Sequence, residues 1–558
     1  MLDWKKFVEE LKLFCEKVTI RGVSNIVKSK QTVIAALYSL AVLTCSGLLI
    51  WQISSLIESY LSHPFTTTMT EQNVDPVFPT VTVCHLNPIL MAEERFTSVL
   101  SWSRHLQNIQ DARLKLNYDD LAILYPTISR AEFETIVKDL RTAGGYFANF
   151  PVMDLKSIVN TELIIDQNLV DWDWINYERN ASSEPLWDSN YANCLKVTLN
   201  NEDRKRVRSM SLIFYLHNFP KVVLPGSYYL TALTSKATGV RIKIHSPNTR
   251  GDMKSGMNLR PGTESTFYIR MVNRSRLHYP YNKEDCTDVD NETPGESGYL
   301  YSREACMDYC IQQKVVDACK CVSIDHLHSD TQLKQANYIS CGNMSHISSN
   351  ENDRLSIYNG PKNSPILYAN TTYFLPEFMK LLACQRKTLQ TNTTSCLNKC
   401  LVPCNEVYYD YQGLFVDWPD ITRHLPIFRR YITNSTTRLR HKLLFPEHTL
   451  LDSHKTSGTM PDEEILKNLS DLKQIEKNFL QLNIVFESDK PYSIQDKEMI
   501  TSQTMLSSIG GSLSLWLGIT VMTMVELLEF VFHIIVLTFS GRKVKMKKIT
   551  VDAFPKKF

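Results

Sequence analysis

Gly510-Gly-Ser-Leu-Ser-Leu-Trp-Leu-Gly518-Ile-Thr520, followed by Glu526-Leu-Leu-Glu529, is the stretch whose reading decides the fold. It lies within Met499 to Gly541, where Glu526 and Glu529 are the only acids and His533 is the only other ionisable group of note. A span needs about 20 apolar residues to cross a hydrocarbon core of about 30 Å. This run is too long for one straight span, and its Ser507–Ser514 portion is too small and polar for lipid contact. A membrane segment broken at Gly510-Gly511 or at Gly518 fits better than a uniform helix. Gly518 and Thr520 would equally suit a small-residue helix-packing face. Two acids one turn apart are costly in hydrocarbon, so Glu526 and Glu529 should face water or one another.

Toward the N-terminus, Gln31 to Ile57 holds no charged residue and is long enough to span. A cleaved signal peptide fits poorly, because thirty residues precede the run and the run exceeds an h-region. Residues 1–30 carry seven Lys/Arg against four acids, and residues 542–558 carry seven against Asp552. By the positive-inside rule both termini are cytosolic and the region between the spans is external. Two independent signals agree. Eight N-x-S/T sequons, at Asn180, Asn273, Asn291, Asn343, Asn370, Asn392, Asn434 and Asn468, all fall between the spans. So do all of the 14 cysteines except Cys15 and Cys45, an even set in an oxidising compartment.

Over 558 residues the net charge is only +2, which argues against an electrostatic nucleic-acid binder. The composition is 43% hydrophobic and 22% charged, which excludes wholesale disorder. A mean hydropathy of −0.21 excludes a many-span transporter.

Within the external region, residues 92–170 read mainly helical, with Ser129 a possible N-cap. Leu195–Leu199, Ser211–Leu216 and Val240–His245 read as strands, with Pro-Gly turns at 225–226 and 261–262. Leu482–Phe486 reads as a late strand, and residues 436–475 as a charged, weakly patterned stretch holding a helix. Cys319-x-Cys321 and Cys396-x₃-Cys400-x₃-Cys404 have metal-ligand spacing, but outside the cell disulfides are the expected state, and no metal is expected. His326-x-His328 is read as a solvated loop rather than a zinc site. No P-loop, HExxH or nucleophile elbow is present, so no enzyme and no cofactor are expected.

Together these pieces resemble the degenerin/epithelial sodium channel family. Phe78-Pro-Thr-Val-Thr-Val-Cys84 resembles its FPxVTxC segment, and Gly518-Ile519-Thr520 its G-x-S filter. The cysteine block from Ala305-Cys306 through Cys310, Cys319 and Cys321 to Pro403-Cys404 resembles its thumb. The landmarks run from residue 19 to residue 529. Two departures stand out: Thr19-Ile20-Arg21-Gly22 keeps the glycine but not the histidine of the family's His-Gly pair, and Thr520 replaces a serine.

The resemblance implies an α+β membrane protein: a trimer in the plasma membrane, with two transmembrane helices per subunit and a large disulfide-rich external domain of palm, β-ball, finger, knuckle and thumb. The expected boundaries are a cytosolic N-terminus at 1–30, a first span at 31–60 and an external domain at 61–498. The finger would fall at about 92–185, the palm and β-ball at about 190–280 and the thumb at about 286–405. A pore segment at 499–541 and a cytosolic tail at 542–558 complete the chain. It further implies a sodium-selective channel blocked by amiloride, with Na⁺ as the permeant ion. Gly518, Ile519 and Thr520 would form the filter, Glu526 and Glu529 would be the pore acids, and Thr504, Ser507 and Ser508 would form the gate and amiloride region. Gly22 would belong to the N-terminal gating motif, and Tyr281 would couple the external domain to the pore. The implied disulfides are Cys84–Cys194, Cys286–Cys404, Cys306–Cys400, Cys310–Cys396, Cys319–Cys384 and Cys321–Cys341.

Several stretches resemble the FMRFamide-gated channels of invertebrates: Asn190-Tyr-Ala-Asn-Cys194, Ser211-Leu-Ile-Phe214, Leu224-Pro-Gly-Ser227, Gly239–His245 and Tyr279-Pro-Tyr281. The agonist would then be a short cationic, amidated neuropeptide, met by aromatic surfaces and carboxylates. Trp102, Phe133, Tyr146, Phe147, Asp171 and Trp172 are the candidates; packing within a helical finger is the competing use of each aromatic. Acid-sensing, tonic and mechanically gated channels of the same family are the alternatives. A two-span scavenger-type receptor is the alternative of a different class, but it has no use for a polar, acid-bearing second span.

Overall fold

The computed structural model describes residues 4–20, 22–86, 163–177, 181–188, 191–216, 237–288, 299–323, 326–337, 393–436 and 438–540, with isolated positions between them. The chain divides into two units, residues 1–67 with 496–558, and residues 68–495.

The first unit opens with α1 (Trp4–Lys17), α2 (Val23–Lys28) and α3 (Thr32–Leu61). Thirty residues at 1.5 Å rise give α3 a length of about 45 Å, enough to cross a bilayer. Val33, Leu37, Leu40, Leu43, Ile50 and Trp51 are 61–71% exposed, and Leu49 is the one buried residue of the helix. Such a surface is stable only against lipid or protein. Pro64 lies just beyond the helix end, where a residue without an N–H cannot continue it.

Alternating side chains build the second unit. Its strands are β2 (Thr80–His85), β3 (Ile164–Asp171), β4 (Asn176–Tyr177), β5 (Ser182–Asp188), β6 (Ala192–Thr198), β7 (Val207–Tyr215), β8 (Val240–His245), β9 (Met257–Leu259), β10 (Thr263–Ser275), β11 (Cys286–Thr287), β12 (Val402–Pro403), β13 (Asn405–Asp417) and β14 (Phe479–Phe486). β1 (Phe65–Glu71) and β15 (Tyr492–Glu498) carry the chain in and out. One sheet has the order β1-β15-β10-β14-β7-β3-β4, with β13 on the other side of β10; a second runs β5-β6-β2-β8-β9. β10 is the axis of the larger sheet. It pairs antiparallel with β13 along its whole length, and parallel with β14 over Glu264–Ile269 and with β15 over Val272–Ser275.

In β14 alternate residues are buried, as period-2 geometry requires when one face meets a core. Leu480, Leu482, Ile484 and Phe486 of that strand share one apolar cluster with Val81, Val83, Val197, Ile242 and Ile244 of the smaller sheet. The strands read from sequence at 195–199, 211–216, 240–245 and 482–486 all appear, and Gly262 occupies the Pro261-Gly262 turn at φ +73°. The turn at 225–226 lies outside the described residues. So does most of the helical reading of 92–170, but its end is corrected: Ile164–Asp171 is a strand. Leu163, Ile164, Leu169 and Val170 fit either period, and pairing with β7 decides the matter.

Helices of the second unit include α4 (Arg303–Cys319), α5 (Thr393–Lys399), α6 (His424–Phe428), α7 (Pro446–Ser457), α8 (Asp462–Leu472) and α9 (Gln474–Asn478). Residues 436–475 thus hold two substantial helices rather than one. Leu451, Ile465 and Leu469 bury their apolar sides with Leu425 of α6. His424 and His448 lie fully inside this helical layer, the His448 ring against Phe428 and Phe445.

Six disulfides fasten the unit, in the six pairs that the resemblance implies: Cys84–Cys194, Cys286–Cys404, Cys306–Cys400, Cys310–Cys396, Cys319–Cys384 and Cys321–Cys341. Three have a visible cause. Cys306 and Cys310 are one turn apart on α4, and Cys396 and Cys400 bear the same spacing on and just after α5, so the helices clamp side by side. Cys84–Cys194 joins directly opposed residues of β2 and β6.

The first unit closes with α10 (Ser502–Leu517) and α11 (Val521–Ser540), which meet at 79°. The break falls at Gly518; α10 runs unbroken through Gly510-Gly511.

Candidate ion path

Helix α10 begins where the Thr501 hydroxyl accepts the Thr504 N–H at 3.1 Å. Thr504, Ser507, Ser508, Gly511 and Ser514 follow at three- and four-residue steps, which places them on one side of the helix. All five are exposed. The helix is therefore apolar on average but carries a polar stripe. Gly510 and Gly511 have nothing within 4 Å of where a Cβ would stand, so packing within the chain does not require them. On another side, Trp516 Nε1 donates to Gln52 Oε1 of α3 at 2.6 Å, tying the two spans together.

The helix stops because Gly518 takes φ +65°, ψ +23°, a left-handed conformation that a side chain would strain. Its N–H reaches Ser514 O at 3.0 Å and that of Ile519 reaches Leu513 O at 3.2 Å. Among the described residues, no backbone N–H meets the carbonyls of Gly518 and Ile519. Thr520 then starts α11. Its N–H donates to Thr523 Oγ1 at 3.2 Å, while the Thr523 N–H approaches Thr520 Oγ1 at 3.5 Å, the reciprocal arrangement of a capping box.

Below the break, the N-terminal segment comes in. The Thr19 and Thr523 hydroxyls share a hydrogen bond of 2.8 Å. The Thr19 N–H and hydroxyl both donate to Glu526 Oε2, at 3.0 and 3.1 Å. Glu526 is therefore held by Thr19 rather than facing Glu529, and Glu529 is exposed. Gly22 makes the approach possible. It sits at φ +91°, and a Cβ there would stand 2.7 Å from Val42 Cγ2 of α3. Arg21 lies outside the described residues.

Thr19, Thr523, Gln52 and Trp516 were not singled out by sequence reasoning. Two signals were present: the Thr520-x-x-Thr523 spacing, and Gln52 as a polar residue in an apolar run. Nothing in the sequence points to the contact between Thr19 and Glu526.

Of the remaining candidates, Trp102, Phe133, Tyr146 and Phe147 lie outside the described residues. Asp171 is engaged within its own hairpin, and Trp172 against β14. The Asp171 carboxylate accepts the N–H groups of Asp173 and Ile175, and Trp172 stacks on Phe486. Arg208 sits over Trp172 and Trp174, at 5.2 and 4.1 Å from the ring centres. Tyr281 lies in the turn before β11, its N–H donating to His278 O at 3.1 Å.

Among the sequons, Asn434 is exposed and Asn468 is half-buried on α8. Asn273 differs: it lies in β10 between two partner strands, and its amide donates to Gln72 Oε1 at 2.8 Å. The other five sequons lie outside the described residues. His326 and His328 do not act together as a solvated loop. His326 pairs with Asp308 at 3.1 Å, while His328 is buried near the Trp187 ring. Among the described residues, the one group tight enough for a metal is His278 with Cys286 and Cys404, whose sulfurs are bonded to each other and offer no thiolate.

A span that is polar on one side and broken in the middle is the construction of a membrane protein that conducts. The family model described as amiloride-sensitive sodium channel matches residues 14–530. The chain belongs to that family of ion channels and is not an enzyme. The FMRFamide-activated amiloride-sensitive sodium channel of Cornu aspersum is 25% identical, over 94% of this chain and 82% of the relative. The epithelial sodium channel alpha subunits of Cavia porcellus and Homo sapiens are 22% and 20% identical, each over 96% of this chain and over 77% and 79% of their own lengths.

Proposed function

We propose that several copies of this chain, a homotrimer in the family's manner, surround a sodium-selective path through the plasma membrane, opened from outside by a short amidated peptide of FMRFamide type. One observation carries the pore: the polar stripe of α10 ending in two carbonyls, of Gly518 and Ile519, that no backbone N–H meets. Each such group left in hydrocarbon costs several kcal/mol. Lipid cannot surround that face, whereas further copies can enclose it around water. The carbonyls at 518 and 519 then replace part of an ion's hydration shell, and Glu526 and Glu529 concentrate cations on the cytosolic side. Thr504, Ser507 and Ser508 lie toward the outer end of the stripe, where a guanidinium blocker such as amiloride would lodge.

Peptide gating draws on the similarity to the FMRFamide-activated relative. The alpha subunits of epithelial sodium channels are nearly as similar, so a tonic channel is the second reading. The two separate in whole-cell recording of the full chain under FMRFamide, acid and no stimulus. An amiloride-blocked sodium current evoked by peptide is expected. A steady amiloride-blocked current that ignores peptide would replace the first reading with the second.

A further inference from the structure

Helices α3 and α10 pack against each other along faces that are nearly all apolar. The less exposed side of α3 runs through Leu49, Gln52 and Leu56, and that of α10 through Ile509, Ser512 and Trp516, each at the three- and four-residue steps of one helical face. In a bilayer such a seam holds loosely, because lipid tails are as apolar as the side chains. It does not fix how far one helix is turned or slid along the other. Most polar groups of the two helices do not help, since they bond within their own helix. The Ser39 and Thr44 hydroxyls donate to Ala35 O and Leu40 O, and that of Ser512 to Ser508 O, each at 2.8 Å. Among the described residues, one side-chain hydrogen bond joins α10 to α3, from Trp516 Nε1 to Gln52 Oε1 at 2.6 Å. Every slip or turn that breaks it leaves an indole N–H and an amide carbonyl in hydrocarbon, so a single polar pair in an apolar seam sets the register. The place of this pair is as telling as its chemistry. Trp516 belongs to the last turn of α10, two residues before the Gly518 break. The carbonyls of Gly518 and Ile519 follow directly, and any rotation of that turn re-aims them.

We propose that Gln52 is a positioning residue for ion selection. By accepting the Trp516 N–H from outside the ion path, it fixes the rotation and height of the last turn of α10. The width of the ring formed by the 518 and 519 carbonyls follows from that setting. Gln52 touches no ion; it acts through Trp516. The inference rests on the reading of residues 518–519 as the filter and adds to it the residue of the first span that holds the filter in place. Without the bond the turn is free to rotate, the ring is less exactly sized, and potassium passes more readily beside sodium.

The test records the full chain under bi-ionic sodium and potassium gradients, with surface labelling to measure how much protein arrives. Gln52→Met keeps the length of the side chain and removes the acceptor. Trp516→Phe keeps an aromatic ring and removes the donor. Each should raise the relative permeability of potassium several-fold. The double variant should go no further than either single one, because both substitutions remove the same bond. Gln52→Glu keeps an acceptor oxygen at the same reach and should return toward the parent value. A bond that merely held the fold would lower the surface amount and leave the reversal potential unchanged, and that result overturns the proposal. Additive shifts in the double variant also overturn it, since they give the two residues separate roles. Gly518→Cys, recorded alongside, separates this inference from the one beneath it. A shift in Gly518→Cys with none in Gln52→Met and Trp516→Phe rejects the role of Gln52 alone. No shift in any of the three rejects the filter reading and the positioning role together.

Discussion

Gly22 and Gly518 are both positive-φ glycines, but they act differently. Gly518 ends α10 at the break between the two helices, and Gly22 lets the N-terminal turn lie against Val42. An alanine at Gly22 meets two penalties, about 1–2 kcal/mol for the left-handed backbone and a clash with Val42 Cγ2. Gly22→Ala should lower current several-fold at matched surface expression, and adding Val42→Ala should restore only part of it. Wild-type current in the single variant would show that the turn is dispensable. Thr19 is the second residue of consequence. A hydrogen bond to a charged acceptor is worth about 1.5–3 kcal/mol. Thr19→Val loses the hydroxyl bond to Glu526 and should change single-channel conductance, while Thr19→Ser retains it. Equal conductance in Thr19→Val and the parent would remove this role.

At the scale of elements, β10 decides where a glycan can attach. Asn273→Gln should leave the mobility of the glycosylated chain unchanged, because Asn273 is paired into a central strand. Asn434→Gln should increase mobility by one glycan, which a deglycosidase control would show on a gel. A shift in the first variant would mean that β10 is open when the chain is modified. The helical layer of α6 to α9 gives a pH prediction. Burial, and secondarily the charge of His424, pushes His448 down to about 4 from the usual 6.5. A histidine with a lowered pKa is held neutral in the fold. Its contribution is complete above pH 6.5 and is lost as pH falls toward 4, on the order of 3 kcal/mol in all. Amide protection factors in residues 446–472, which are exchange rates referred to the intrinsic rate at each pH, should therefore fall between pH 7.5 and pH 5, and less so in His448→Gln.

These two examples show what a linear reading reaches. Val240–His245 and Leu482–Phe486 were legible because alternation is written in consecutive residues. The Asn273 sequon was legible, but the strand partners that enclose it come from beyond residue 400. Gly510-Gly511 and Gly518 looked equally able to break the second span; only the backbone angle at Gly518 separates them, and glycine composition does not encode it. β3 was read as helix because its apolar residues fit both periods until β7 lies beside them. The hold of Thr19 on Glu526 joins residues 507 positions apart, and no local pattern announces it.

For the whole molecule, the proposed filter and the acids that follow it should produce separable effects. Gly518→Cys and Thr520→Ala disturb the break and the start of α11, so they should shift the reversal potential toward potassium under bi-ionic gradients. Glu526→Gln leaves the break intact and should chiefly lower conductance. Unchanged reversal potential in both filter variants, with normal current, would place the path elsewhere.

The connectivity of β10 also governs how the protein is made. The strand is complete at residue 275, but its partners β13, β14 and β15 end at residues 417, 486 and 498. At about 5–20 residues per second, the ribosome needs roughly 10–40 s to supply the stretch between β10 and the end of β14. Until β13 is made at residue 417 both edges of β10 lack their strands, and the edge that takes β14 stays open to the end of that interval; unpaired edges invite association with other chains. The larger sheet is therefore assembled at the end of synthesis rather than during it. A nascent chain stalled before residue 479 leaves the smaller sheet with all its strands and β10 without β14, so quality control in the secretory pathway would meet a half-made protein with an adhesive edge.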